Sequence, residues 1–384
     1  MQEYPATNSS AERIVFLDYL RAVACFMVIL VHCIEPFYLG GEGTYIASYS
    51  DACWVAFVNS FLRVAVPLFV MTSSYLLMPL TTDTETFYRR RFQRVVIPFI
   101  VWSIAYAFIP MWGTGGEVAV GDNLAQLSVN LMWHSGHLWY VYMIIGIYLF
   151  MPILSPWLER VTKRGEEAFI LVWLFTTAIP FFRELALNVR GTAEVWGEAS
   201  WNEFGLFYYF SGFIGFVVAA HYIRKYVDWG AKKTLMVALP MIVVGYLATA
   251  LPFYLQLPDS YPINESIDLA VKLELSWDFT NTGAALMTIG VILGAYALIQ
   301  VYVNPEQIKD SLLNKEKVSV DNFLYVALYI SAVNSFLEEI FFRGLLFLQV
   351  KKLGHRKLAY NLSALFFAVY HIGIVSGWFN IWVF

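Results

Sequence analysis

The chain has 384 residues, 59% of them hydrophobic and only 14% charged, too apolar a balance for one water-soluble domain to hide in its core. Aromatic residues make up 18%, with 13 Trp and 24 Tyr, as expected of rings gathered at the two headgroup levels of a bilayer. The formal net charge of -4 has no basic tract behind it, so nothing reads as a nucleic-acid surface and the lipid bilayer is the expected partner.

The opening residues MQEYPATNSSAER are polar and lack the basic start of a signal peptide. Residues 1–12 therefore read as a cytoplasmic tail and the first apolar run as a retained membrane helix. Stretches able to cross a hydrocarbon core fall near 14–34, 54–79, 95–112, 138–154, 167–182, 204–221, 234–255 and 279–302. With the apolar runs after residue 303, the expected fold is all-α, a polytopic transmembrane helical bundle of roughly ten spans. Pro67 predicts a kink in the second span.

Basic connections alternate with connections that are not basic. Arg89, Arg90, Arg91 and Arg94, then Arg160, Lys163 and Arg164, then Arg224, Lys225, Lys232 and Lys233 mark one side, while 35–53 and 113–136 contain no Lys or Arg. The positive-inside rule puts the N-terminus and the basic loops in the cytoplasm, for a multi-pass protein of the cell membrane. The alternation strains at the end, where a span beginning near Phe323 should start inside yet leads into Lys351, Lys352, Arg356 and Lys357. Cys25, Cys33 and Cys53 form no CxxC pair, which predicts buried free thiols rather than a zinc site, with a Cys33–Cys53 bridge as the alternative.

The first span, FLDYLRAVACFMVILVHC, carries Asp18, Arg21 and His32. Ionisable groups at such depth are costly and mark function by default. From Arg21 to His32 the helix makes about three turns, which puts both on one face about 16 Å apart. A cation at the inner end suits phosphate, and an imidazole at the outer end suits proton abstraction from a hydroxyl. Glu35 is placed to orient that ring if the helix continues. The plain alternative is that Arg21 pairs with Asp18 and snorkels to the headgroups while His32 caps the helix. His137, Trp139 and Tyr140 open the fourth span at the outer face, as a sugar-binding group or as an aromatic belt.

The run LDYLRAVACFMVILVH resembles the start of the acyltransferase family 3 proteins, membrane O-acyltransferases with an Arg, ten residues, then a His. VPLFVMTSSYLL (66–77), RRRFQRVVIPFIVW (89–102) and HLWYVYMIIGIYLFMPIL (137–154) are similar to that family's next helices, in order. The resemblance implies transfer of an acyl group, acetyl foremost, from acyl-CoA to an envelope glycan or lipid-linked sugar. It makes acyl-CoA (acetyl-CoA) a co-substrate, with no permanently bound cofactor and no metal. It assigns Arg21 and His32 to catalysis and Arg91 with Arg94 to the nucleotide phosphates, which guanidinium groups grip bidentately; topology determination explains the same arginines equally well. Ser73 matches the serine of the family's Ser-Gly pair, with Ser74 in place of the glycine, a change expected to alter the cavity. A glycan exporter or flippase would use the same charges without chemistry.

The last eighty residues carry different chemistry. Glu338, Glu339 and Arg343 lie in one apolar run and His371 in the next. Adjacent carboxylates repel, which raises one pKa and favours a general base; an interfacial Glu-Arg pair is the alternative. With Phe367 these residues resemble the CAAX-protease and bacteriocin-processing family, which implies a metal-independent or glutamate-dependent intramembrane protease as an alternative function. The family's later histidine has no counterpart after His371. The expected organisation is an acyltransferase-like membrane domain over 13–302, a polar linker over 303–320 and a protease-like fragment over 321–384, with both resemblances cut short as in a fusion of two fragments.

Overall fold

The computed structural model describes residues 15–40, 43–108, 120–132, 135–192, 195–199, 201–264 and 273–302, with 319, 322, 325–326, 329, 347–354, 358–363 and 365–366 beyond. The chain divides into two compact units, Met1–Ala297 and Leu298–Phe384.

In the first unit, α1 (Val15–Ile34) leads through a 3-10 turn into a small antiparallel sheet. Among the described residues, the segments long and apolar enough to cross a membrane are Phe16–Phe37, Tyr49–Leu77, Gly136–Arg160, Lys163–Arg190 and Ala231–Leu255. They contain α1, α2 (Tyr49–Leu62) with α3 (Ala65–Leu77), α7 (Trp139–Arg160), α8 (Lys163–Thr177) with α9 (Ile179–Arg190), and α11 (Ala231–Leu255). Between them run α4 (Thr84–Arg91), α5 (Ile97–Phe108), α6 (Val120–Val129) and α10 (Ile214–Tyr226), and α12 (Thr282–Tyr302) follows the last. The described part of the expected span near 95–112 holds the 12 residues of α5, and the expected span near 204–221 holds a helix of only 13 residues. The second of these is short because 205–210 wind as a 3-10 turn.

The break in the second span falls at Arg63 and Val64 rather than at Pro67. Pro67 supplies no N–H for the carbonyl four residues back, which belongs to Arg63, and proline is tolerated in the first turn of the new helix. Helix α2 is started by Ser48, whose hydroxyl accepts from the Asp51 amide at 3.1 Å.

The all-α expectation omits a three-stranded sheet, β1 (Leu39–Gly40), β2 (Gly43–Ile46) and β3 (Ile263–Asn264), paired antiparallel in that order. Strands this short leave no period of two to read. Leu39 faces Thr44 and Ile46 faces Ile263. Beneath the sheet, Tyr38, Ile46, Phe253 and Trp277 are buried together. The Phe253 and Trp277 rings stack at 4.0 Å, and the indole N–H donates to the Ser60 hydroxyl at 3.1 Å.

Small residues set the helix crossings. A Cβ on Gly283 would lie 2.7 Å from the Gly245 carbonyl oxygen, and one on Gly290 2.9 Å from that of Ala238, so α11 and α12 pack backbone to backbone. Helices α8 and α10 meet through the buried Trp173, whose indole donates to the Gly212 carbonyl at 2.9 Å. Deeper in that contact, His221 Nδ1 lies 2.7 Å from Glu166 Oε1 with both side chains out of solvent.

In the second unit, the described residues include α13 (Leu348–Lys352), closed by Gly354 at φ 86. The Phe347 and Tyr360 rings lie 4.7 Å apart.

Candidate active site

Four helices of the first unit enclose a cavity of about 660 Å³, lined in turn by side chains of α1, α3, α5 and α7. On α1 the lining residues Cys25, Val28 and His32 follow the three-and-four spacing of one helix face, and Glu35 continues it from the 3-10 turn that follows. Arg94 and Val95 sit in a π-helical turn (Phe92–Val96) between α4 and α5, which turns them onto the same wall as Phe99 and Trp102. At 1.5 Å per residue, the lining stretch is about 12 Å long on α3, about 15 Å from Cys25 to Glu35, and about 6 Å on α5, which Arg94 and Val95 prolong. The cavity is therefore an elongated passage. Arg94, Ser73 and Tyr148 lie toward one end, and His32, Glu35, Arg63, His137, Trp139 and Glu274 toward the other. Apolar side chains such as Val28, Phe69 and Ile144 form the walls between.

At the second end the His32 Nδ1 lies 3.0 Å from Glu35 Oε1. A carboxylate at Nδ1 favours the tautomer that keeps its proton there and leaves the Nε2 lone pair free to accept one. The His137 ring stands edge-on to His32 with centroids 6.4 Å apart, and Tyr106 packs edge-on to His137 at 5.0 Å. An adjoining recess of about 430 Å³ is lined by His32, Glu35, Gly136, His137 and Trp139. Trp139 stacks on Phe279 at 5.6 Å.

Arg21 does not line the cavity. Its guanidinium is 3.7 Å from Asp18 and donates at 3.4 Å to the Thr72 carbonyl, tying α1 to α3 one residue before Ser73. Arg91 likewise stays behind the wall, 5.0 Å above the ring of the lining residue Tyr148 and 5.3 Å above that of Phe87, while Arg94 reaches the interior surface. Ser73 lines the cavity; Ser74 is buried on the far side of α3 with its hydroxyl donating to the Val70 carbonyl at 2.7 Å. The extra atoms relative to glycine are thus accommodated within α3. The thiols are unbridged as expected, but Cys25 and Cys33 are exposed rather than buried, and Cys25 belongs to the cavity wall. Glu338, Glu339, Arg343, Phe367 and His371 lie outside the described residues, as does nearly all of the expected linker.

The cavity also contains ionisable residues that the sequence analysis passes over. Arg63 is 8% exposed and buried at the α2–α3 break. Its guanidinium lies 5.1 Å over Trp277 and 5.3 Å over Phe279, and donates to the Tyr38 hydroxyl at 3.4 Å. Burial pushes the Tyr38 phenol up from its ordinary pKa, against the pull of Arg63. Glu274 keeps solvent contact, yet enough protein surrounds its carboxyl that desolvation raises its pKa, with Arg63 acting in the opposite direction. An arginine inside the apolar run 54–79 was the available signal. Glu274 had none, because it comes from a polar connection between apolar runs.

These features define a polytopic α-helical membrane protein with a cavity between its helices, lined by Arg94 toward one end and by a histidine paired to a carboxylate toward the other. The family model for an acyltransferase domain matches residues 14–315, and the chain belongs to that acyltransferase family. It is a membrane acyltransferase. Residues 320–384 match the type II CAAX prenyl endopeptidase Rce1-like family. Comparison with curated proteins and with solved structures gave no significant match.

Proposed function

We propose that the protein transfers an acyl group, acetyl foremost, from acyl-CoA to a hydroxyl of an envelope glycan or lipid-linked sugar. The observation that carries this reading is the passage with Arg94 at one end and the His32–Glu35 pair at the other. Its apolar walls suit an extended thioester arm, with phosphates at the guanidinium and the reacting carbonyl at the imidazole. His32 Nε2 takes the proton of the attacking hydroxyl as the oxygen bonds to the thioester carbon. The carbon–sulfur bond then breaks and the departing thiolate recovers that proton, leaving His32 neutral. Glu35 holds the ring and balances the imidazolium that forms in between. Arg21 acts as a positioning residue that fixes α1 against α3, and Arg91 supports the Tyr148 wall beside Arg94. His137 and Trp139 contact the acceptor.

In this reading the protein crosses the cell membrane roughly ten times with its N-terminus in the cytoplasm, taking acyl-CoA from that side and the glycan from the other. The acyltransferase part runs over 13–302, joined through 303–320 to the protease-like segment 321–384. The match over 320–384 supports peptide-bond hydrolysis as a second reading, for which Glu338→Ala is the diagnostic variant. The test of the main reading is transfer of labelled acetyl from acetyl-CoA into the membrane glycan fraction, with His32→Ala at matched expression. Label that depends on His32 supports it. Transfer unchanged in His32→Ala refutes the assigned role, and a chain that moves glycan without consuming acetyl-CoA is an exporter.

A further inference from the structure

Arg63 has five N–H donors and, among the described contacts, one long hydrogen bond, to Tyr38 at 3.4 Å. Its Nε is buried without a partner, although the side chain forms part of the cavity wall. A cation so far out of solvent normally spends its donors on a carboxylate or on carbonyl groups. Here two aromatic faces, Trp277 and Phe279, hold the guanidinium plane and leave its edges unspent. The arrangement holds a cation ready for something that enters the cavity.

The charge around Arg63 limits what that is. Glu274 and Glu35 both lie close enough to act on it electrostatically, and both line the same end of the cavity. One guanidinium facing two carboxylates leaves no excess positive charge to attract an anion. It does leave a donor fork beside acceptor oxygens, the complement of a pair of hydroxyl groups. Trp139, stacked on Phe279 at the edge of this cluster, adds an apolar ring face at the cavity wall. Aromatic face, guanidinium and carboxylate around one volume match the two faces of a pyranose: apolar C–H groups on one side and a rim of hydroxyls on the other.

We propose that Arg63 and Glu274, with Trp139 as the stacking surface, form a subsite for an uncharged hexopyranose that positions the acceptor hydroxyl toward His32. The proposal rests on the acyltransferase reading for the part the sugar plays, but sugar binding is measured without catalysis. Arg63 donates to adjacent hydroxyls, Glu274 accepts from one of them, and the excess of carboxylate over guanidinium selects against uronic acids and phosphorylated sugars.

The experiment uses the full chain in lipid nanodiscs and saturation-transfer NMR. The probes are the methyl glycosides of glucose, galactose, mannose and N-acetylglucosamine, with methyl glucuronide as the anionic comparator. At least one neutral glycoside is expected to receive saturation on its ring protons and to bind at least fivefold more tightly than the glucuronide. Arg63→Lys is expected to weaken that binding tenfold or more and leave acetyl-CoA binding unchanged. Glu274→Gln, a change at a solvent-contacting position, should shift the preference toward the glucuronide, which a merely structural role would not do. Binding of no neutral glycoside, tighter binding of the glucuronide by the wild type, or an unchanged preference in Glu274→Gln overturns the proposal. His32→Ala separates the two readings. Sugar binding retained by a protein whose wild type transfers no acetyl upholds the subsite and refutes the acyltransferase assignment, whereas transfer without neutral-sugar binding does the reverse.

Discussion

Replacing Glu35 by alanine isolates what the carboxylate does for His32. The two side chains are 44% and 36% exposed, for His32 and Glu35 respectively, so their contact contributes at most about 0.2–1 kcal/mol to folding and the variant should be expressed and extracted normally. Its effect on turnover is larger. A charge-assisted hydrogen bond at 3.0 Å that holds the ring and its tautomer is worth about 1–2 kcal/mol once discounted for solvent. At about 1.4 kcal/mol per factor of ten, that is roughly a 5- to 30-fold loss of rate. Loss of the base itself, in His32→Ala, should cost about 10²- to 10⁴-fold. The assay is the initial rate of labelled acetyl transfer in membranes containing equal amounts of each variant, with Glu35→Gln expected to fall between wild type and alanine because it keeps an acceptor oxygen. A Glu35→Ala rate within twofold of wild type would mean that something else holds the ring. A rate equal to that of His32→Ala would mean that Glu35 takes part in the proton transfer itself. Either result refutes the orienting role.

Arg94→Ala is expected to raise the KM for acyl-CoA about tenfold with little change in kcat, the signature of lost uniform binding; a pure kcat effect contradicts a phosphate role. For the pair between α8 and α10, His221 Nδ1 lies 2.7 Å from Glu166 Oε1. Glu166→Leu or His221→Leu alone should cost about 3–5 kcal/mol, and the double replacement should recover most of it. Thermal unfolding followed by size-exclusion chromatography measures both, and additive losses would deny the coupling. Because burial raises the Glu274 pKa, its contribution to stability is present below the unfolded-state value and is lost as pH rises through the folded-state value. Glu274→Gln should therefore lessen the loss of stability on going from acid toward neutral pH, and a melting-temperature profile parallel to the wild type would contradict the shift.

How much of the site was legible follows from how far apart its parts lie in the chain. Val28, His32 and Glu35 share a helix face because α-helical geometry repeats every 3.6 residues, so the His32–Glu35 contact was predictable from spacing alone. The same rule put Arg21 in line with His32, but it cannot say where a cavity begins, and Arg21 turned out to brace α3 at Thr72. Arg91 and Arg94 looked equivalent as a basic pair. A π-helical turn that begins after Arg91 and contains Arg94 carries only the latter onto the cavity wall.

The sequence by itself determined that the chain is a helical membrane protein, because apolar runs of this length have no other place to go, and its ordered motifs point to the acyltransferase family. It also singled out His32 as the candidate base, since an imidazole held in an apolar helix needs a reason to be there. Only the tertiary structure decided which groups share one volume. His137 reaches His32 from the 3-10 turn before α7, and Glu274 reaches the neighbourhood of Arg63 from a connection more than half the chain away. Those meetings are set by helix crossings at Gly245, Gly283 and Gly290 and by a sheet of two- to four-residue strands that holds Tyr38 and Trp277 beneath it. Packing of this kind depends on the shapes of surfaces that meet after folding, and local periodicity carries no record of it.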